Sequence, residues 1–345
     1  MVVDEKIKDC DCEGDNFSSN DDQNDHTRKD SISFMTWNLF IGADLSPLFS
    51  TTILEEIPRR VTEVYRQFMA TNYFNRVKKI AEQIAEYKPD IIGLQEAAFW
   101  QLRQLMDPHF PYVTFDYVEI LLNELQEKGI IYETAALNHN ISLQLRSSQG
   151  NFVNLLDRDT ILIRKESGLK VLNKQEANFK ANMITQLGGL PFELLRGWST
   201  VDVSFRNRIF RVISTRLEAS SLLVNLRQGN ELLDGPVNTT LPIILLGDFN
   251  VNNEIAGPPT TYGNLLHFGF QDVWKEVGQG EGLTCCQDPD LLNAFSTLSR
   301  RIDCILYKNG WKPISAKLIG AEQQDRTQTA LWTSDHAGVI AYLEA

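Results

Sequence analysis

The chain has 345 residues, 43% hydrophobic and 23% charged, with a formal net charge of -12, enough for one large domain or two modest ones. Residues 1–30 hold ten Asp or Glu against four Lys or Arg, so half of that charge sits in an N-terminal tail. The body carries no dense basic run, which excludes avid non-specific binding to long nucleic-acid duplexes but leaves room for a local basic rim.

The tail is rich in Asp, Asn and Ser and poor in apolar residues, so it is expected to be disordered, with the folded domain spanning residues 31–345. Neither a basic segment followed by an apolar one nor a run of about eighteen apolar residues occurs, so no secretory signal or membrane insertion is expected. The cysteines, Cys10, Cys12, Cys285, Cys286 and Cys304, are odd in number and sparse, which points to a reducing, cytoplasmic setting. Cys10 and Cys12 are expected as free thiols, and Cys285-Cys286 as a packing element.

Structure is expected to begin at Ser31, where SISFMTWNL reads as a strand that stops at Asn38 and gives way to a loop, FIGADLSPLF. From Pro58 to Tyr87, Val61, Val64, Tyr65 and Phe68, then Phe74, Val77, Ile80, Ala81 and Ile84, recur at helical spacing, with a break near Thr71-Asn72. Ile91, Ile92 and Leu94 make a buried strand that delivers Glu96 at its end, completing a strand–helix–strand opening. Between Trp100 and Gly150 a helix over Asp116–Lys128 and strands in IIYETAAL and ISLQL are the readable elements.

RDTILIRK, residues 158–165, reads as a strand, and GWSTVDVSF with RIFRVISTRLEAS as a hairpin across Arg206-Asn207. Ser221–Leu233 has helical period. LPIILLGDFN, residues 241–250, is an apolar run typical of a strand buried on both faces; Gly247 is expected to break it, and Asp248 and Asn250 to project together if the chain stays extended. A helix over Thr261–Phe268 and strands in RIDCILY, Lys312–Leu318 and AGVIAYLE close the chain. Helices interleaved with many short strands, without a linker after residue 30, indicate an α/β fold with two packed sheets.

Polar residues recur at strand ends: Asn38, Glu96, Asp248, Asn250, Asp303 in RIDCIL, and Asp335-His336 before the last strand. Singly, each has an ordinary reading as a turn, a cap or a salt-bridge partner. Together they offer carboxylates, amides and one imidazole from separate segments, which suits phosphoester hydrolysis with a hard divalent cation: oxygen ligands for Mg²⁺, a carboxylate to orient water, and donors for developing charge.

The motifs WN (37–38), LQE (94–96), GDFN (247–250), RID (301–303) and SDH (334–336) resemble, in order, those of the endonuclease/exonuclease/phosphatase superfamily with its DNase-I-like fold, over Ser31 to the C-terminus. The resemblance implies a four-layer α/β/β/α sandwich of two mixed sheets flanked by helices, with a Mg²⁺ requirement that Mn²⁺ could also meet. It implies Glu96 as principal metal ligand with Asn38 beside it and Asp335 in support. Asp248 would align and activate water, Asn250 would hold the phosphate or the water, His336 would stabilise the transition state, and Asp303 would orient His336.

The family's Thr/Ser-His-Leu motif reads here STRLEAS, which puts Arg216 where His would stand. Arg cannot donate a proton at neutral pH but clamps phosphate bidentately, so a substrate-phosphate role is expected for Arg216. The activity implied is that of a phosphodiesterase, nuclease or phospholipid-headgroup type, acting as a monomer on nucleic acid, lipid headgroup or sugar phosphate. The alternative is a weakened phosphate-binding module in which Arg216 is a structural ion-pair member. For a lipid substrate, Phe40, Leu48 and Phe49, or Phe192 with Leu194 and Leu195, are expected as an exposed docking loop.

Overall fold

The structure is a computed structural model that describes residues 31–103, 112–251 and 259–344; the tail expected to be disordered, with Cys10 and Cys12, lies outside the described residues. The first strands are β1 (Ser31–Asn38), β2 (Ile91–Gln95), β3 (Phe99–Arg103), β4 (Val113–Asp116), β5 (Tyr132–Arg146) and β6 (Phe152–Arg164). They are followed by β7 (Lys170–Asn178), β8 (Met183–Leu187), β9 (Leu190–Leu194), β10 (Gly197–Phe205) and β11 (Arg208–Arg216). The chain ends with β12 (Ile243–Asp248), β13 (Gln271–Asp272), β14 (Asp303–Lys308), β15 (Lys312–Ile319) and β16 (Gly338–Glu344).

The first sheet runs β15-β16-β1-β2-β6-β3-β4, with β5 also paired to β6, and the second runs β13-β14-β12-β11-β10-β7. Both are mixed: β1 pairs β2 in parallel but β16 antiparallel, and β11 pairs β12 in parallel while β12 pairs β14 antiparallel.

Strand alternation explains the layers. Phe34 and Ile32 of β1 turn toward the second sheet and pack with Val201, Val203, Ile244 and Leu246. Met35 and Trp37 turn the other way, onto Val77, Ile80 and Ile84 of the helix Tyr73–Tyr87. In β12, Ile243 and Leu245 face Leu232 of the helix Leu222–Asp234 and Leu265 of Thr261–His267. Three apolar layers therefore separate four structural ones, and the molecule is an α/β/β/α sandwich.

The helical stretch divides as its sequence indicates, into Ile57–Ala70 and Tyr73–Tyr87, because Asn72 adopts a left-handed φ of 38° and its side chain accepts from Asn75 N–H as the N-cap. The hairpin β10–β11 also forms across Arg206-Asn207. YETAAL of the first stretch and ISLQL, by contrast, belong to one continuous strand, β5, which begins at Tyr132 and carries register shifts rather than a loop.

Gly247 does not break the run: it lies within β12, and a Cβ there would collide with the Thr215 carbonyl of the adjacent strand. Gly93 serves the sheet interface in the same way, since a Cβ would come within 2.8 Å of Ser214 Oγ and 3.2 Å of Leu246. The two sheets thus approach closely just below the ends of β1, β2 and β12.

Candidate active site

Register places the polar strand ends together. In the first sheet Asn38 pairs with Gln95, so Glu96 leaves β2 beside it, with a left-handed φ of 52°. In the second, Arg216 of β11 pairs with Asp248 of β12, and Asp248 with Asp303 of β14, which makes a row of three charged residues across adjacent strands. The segment before β16 is tied to the end of β1: Ser334 Oγ donates to the Asn38 carbonyl at 2.6 Å, and Trp37 Nε1 to the His336 carbonyl at 3.0 Å.

Asn38 is the link between sheets. Its Nδ2 donates to Glu96 Oε1 at 3.2 Å and Asp248 Oδ2 at 3.1 Å. Asp303 Oδ2 meets His336 Nδ1 at 2.8 Å, and Asp248, Asp303 and His336 each place a donor atom within 4.8 Å of the others. Asp303 pairs with His336 rather than with a neighbouring arginine; Arg301 bonds Asp272 instead, at 2.7 Å. Every residue singled out from the strand ends is therefore in one constellation.

Asn250 arrives by a different route from the one expected. Its φ is 53°, so extended geometry ends at Asp248, and a turn folds the amide back. Its backbone N–H donates to Asp248 Oδ1 at 3.0 Å, while Nδ2 donates to Leu217 O at 2.9 Å and Asp248 Oδ2 at 3.2 Å. Both amide hydrogens are used, which leaves Oδ1 as its remaining polar atom.

Arg216 points into the carboxylates. It pairs with Glu96 Oε1, with Asp157 Oδ2 at 3.4 Å and with Asp248 Oδ2 at 3.7 Å. The ion-pair role weighed for this residue is thus present, and a phosphate could take it only by exchange of these partners. Asp157 and three further buried residues escaped the sequence reading. Arg196 Nη1 reaches Asp157 Oδ2 at 3.5 Å, and Arg196 Nε lies 3.9 Å from Glu218 Oε2. Asp159 accepts from the Glu96 backbone N–H at 3.3 Å and from Asn140 Nδ2 at 2.9 Å, and so braces the residue before it can act. The available signal was Asp157 and Asp159 at spacing two, on the same side as Ile161 and Ile163 of one strand.

The electrostatics follow from burial among like charges. Burial works against a charged Glu96, but Arg216 and His336, with bonds from Ile41 N–H and Asn38, hold its carboxyl below the usual range. Burial and then the neighbouring Asp157 push Asp159 up to about 7. Burial, reinforced by Glu96 and relieved by His336, raises Asp335 to about 6. Burial opposes the imidazolium of His336, yet Asp303, Asp335 and Asp248 outweigh it and lift His336 to about 10.

A divalent cation fits this set. The donors are hard oxygens, Glu96 and Asp335 repel each other, and Asp303 Oδ1 and Asp157 Oδ1 are buried with no hydrogen-bond partner among the described residues.

Around the constellation, Arg76 is fully buried and donates to the carbonyls of Leu39 and Thr333, both at 2.8 Å, which fixes the loop after β1. That loop contains a short helix, Ser46–Ser50, and is not an exposed docking element: Phe40 and Leu48 are buried, and Phe49 stacks on Phe192 with ring centroids 5.5 Å apart. Among the described residues no helix is long and apolar enough to cross a membrane. Cys285 and Cys286, expected as packing, are joined to each other and lie under Arg300, whose Nη2 is 3.2 and 3.0 Å from their sulfurs.

No curated protein sequence matches the chain. Among solved structures it resembles an endonuclease/exonuclease/phosphatase family protein from Leptotrichia buccalis, with TM-score 0.58 and 17% identity over 91% of this chain and 100% of that one. It resembles D. rerio TDP2 complexed with single-strand DNA product, with TM-score 0.54 and 18% identity over 91% and 99%. It also resembles a mannosyl-6-phosphatase of Bacteroides thetaiotaomicron, with TM-score 0.53 and 15% identity over 90% and 99%. The sequence profile of the Endonuclease/Exonuclease/phosphatase family matches residues 35–336, from within β1 to His336 itself. The chain belongs to this family of phosphoester hydrolases.

Proposed function

We propose that the chain is a divalent-metal-dependent phosphodiesterase, and the observation that carries this reading is Asn38 bridging Glu96 and Asp248 across the two sheets, with Asp303-His336 alongside. Glu96 would be the principal metal ligand, with Asn38 and Asp335 beside it, and the bound cation supplies charge neutralisation at the phosphate oxygens. Asp248 aligns and deprotonates the water. Asn250 holds that water through Oδ1, since its two amide hydrogens are already bonded; this favours the water over the phosphate as its ligand. His336, kept cationic by Asp303, donates to the phosphoryl oxygen on which charge develops.

Arg216 completes the site as the phosphate clamp. Its present partners, Glu96 and Asp157, are groups from which substrate and cation binding would release it. The resemblances to TDP2 complexed with single-strand DNA product and to a mannosyl-6-phosphatase support a phosphoester substrate in general. The test is turnover of generic phosphodiesters, nucleic acids, lipid headgroups and sugar phosphates with Mg²⁺ or Mn²⁺, with Glu96→Ala and His336→Ala as controls. Turnover by the parent protein, absent from both variants, is the expected result.

The Arg216–Glu96 ion pair also favours a second reading, a phosphate-binding module whose guanidinium stands where a cation would otherwise balance Glu96. Calorimetry separates the two. The module binds a phosphoester without divalent metal, whereas in the enzyme metal binding is measurable and is lost in Glu96→Ala.

A further inference from the structure

Cys285 and Cys286 take no part in the chemistry above, yet their sulfurs and an imidazole nitrogen of His336 lie within 4.8 Å of one another. The backbone holds them there. Cys285 forms antiparallel bridges with both Arg300 and His336, Ala337 N–H donates to the Thr284 carbonyl at 2.8 Å, and Gln287 N–H to the Asp335 carbonyl at 2.8 Å. We propose that, when reduced, Cys285 and Cys286 form with His336 a second, sulfur-bearing metal site for a borderline cation such as Zn²⁺, occupied in place of catalysis.

The chemistry of the donors supports this. Two thiolates and one imidazole are ligands suited to Zn²⁺ and poorly suited to Mg²⁺, and three protein ligands leave a fourth position for water. Asp303 on Nδ1 leaves Nε2 as the ligating nitrogen, in the carboxylate–histidine–metal arrangement that fixes the tautomer of zinc-bound histidines. Arg300, over both sulfurs, favours the thiolate forms that a metal needs. The group Asp248–Asp303–His336 and the sulfur-bearing group share His336, so a cation held by the sulfurs withdraws that imidazole from its partners in the proposed chemistry.

The disulfide and the metal are alternatives at these sulfurs. An external thiol or dithiol breaks the S–S bond, supplying two electrons while two protons are taken up, and is itself oxidised to a disulfide. Zn²⁺ then binds with release of the two thiol protons and of the Nε2 proton of His336, which keeps its Nδ1–H on Asp303.

The inhibitory consequence rests on the role proposed for His336; the binding itself does not, and the experiment keeps the two apart. The whole 345-residue chain carrying Cys10→Ser and Cys12→Ser, to remove the tail thiols, is reduced with a phosphine and titrated with Co²⁺ and then Zn²⁺. The expected result is a sulfur-to-cobalt charge-transfer band at one equivalent, bleached by Zn²⁺, absent from the same protein left oxidised and absent after Cys286→Ser, a half-buried position. No band in the reduced protein, or an undiminished band in Cys286→Ser, overturns the site.

In a parallel assay of Mg²⁺-supported turnover, Zn²⁺ should inhibit the reduced parent at least about tenfold more tightly than Cys286→Ser. Equal inhibition of both overturns the claim that occupation competes with catalysis. If no phosphoester is turned over at all, the proposed activity fails while the cobalt spectrum still decides the metal site.

Discussion

Where β1 and β2 begin, Asp90 accepts from Ser33 N–H at 2.9 Å, Ser33 Oγ at 2.8 Å and Arg164 Nη2 at 2.5 Å, beside a cavity of about 580 Å³ that Tyr87, Lys88 and Tyr342 also line. Where the same two strands end, Glu96 and Asn38 stand among carboxylates of which Asp157, Asp303 and Glu218 each keep one buried oxygen without a hydrogen-bond partner among the described residues. That cavity thus lies beside a carboxylate whose two oxygens are both satisfied, and the chemistry lies where acceptors are left over. A buried acceptor without a partner costs roughly 1–3 kcal/mol, so several in one place mark a site completed by something that arrives from outside.

Four substitutions sharpen or break this contrast. Glu96→Ala should lower kcat for a phosphodiester by about 10³-fold or more while the protein stays folded by circular dichroism; a loss under about tenfold would remove the distinction between the two ends. Asp303→Asn should lower kcat by about 10²-fold and move the alkaline limb of the pH–rate profile to lower pH, because His336 loses the neighbour that most raises it. The linked stability has a definite sign. A histidine raised to about 10 contributes stability that is fully present below its unfolded value of about 6.5 and is lost as pH rises through about 10, so melting curves of the variant should lack that alkaline fall.

At the other end, Asp90→Ala should lower stability by about 2 kcal/mol in denaturant titrations and leave kcat within about twofold, since it strands Arg164 without touching the site. Arg216→Ala should raise KM and lower kcat, each by about tenfold, if the guanidinium exchanges its carboxylates for phosphate; unchanged kinetics would leave it a structural ion pair.

The legible part of the molecule was the part in which function coincides with a strand end. WN, LQE and GDFN each follow an apolar run and SDH precedes one, so both the strand and its polar terminus could be read from one stretch. Asp157 and Asp159 could not, because charges alternating along a strand ordinarily mark a wet face, and only the packing of β6 between β2, β3 and β5 buries them. The strand β7 was missed for the opposite reason: KVLNKQEAN is exposed almost throughout and lacks an apolar face. Phe40 and Leu48 were misread as exposed because nothing near them in sequence announces Arg76, which reaches from a distant helix to hold their loop.

The row Arg216–Asp248–Asp303 has a consequence for how this site can vary. Neighbours in one ladder share a field, so their substitutions will not be additive, and a double-mutant cycle between Asp248 and Asp303 should return a coupling energy of order 1 kcal/mol or more. The same holds for Arg216 and Asp157. Arg216→His alone would leave Asp157 with Arg196 as its remaining cation, beside Asp159. The arginine and this carboxylate on the facing sheet therefore form one charge pair, and Arg216→His should cost less stability when Asp157 is neutralised with it than when it is made alone.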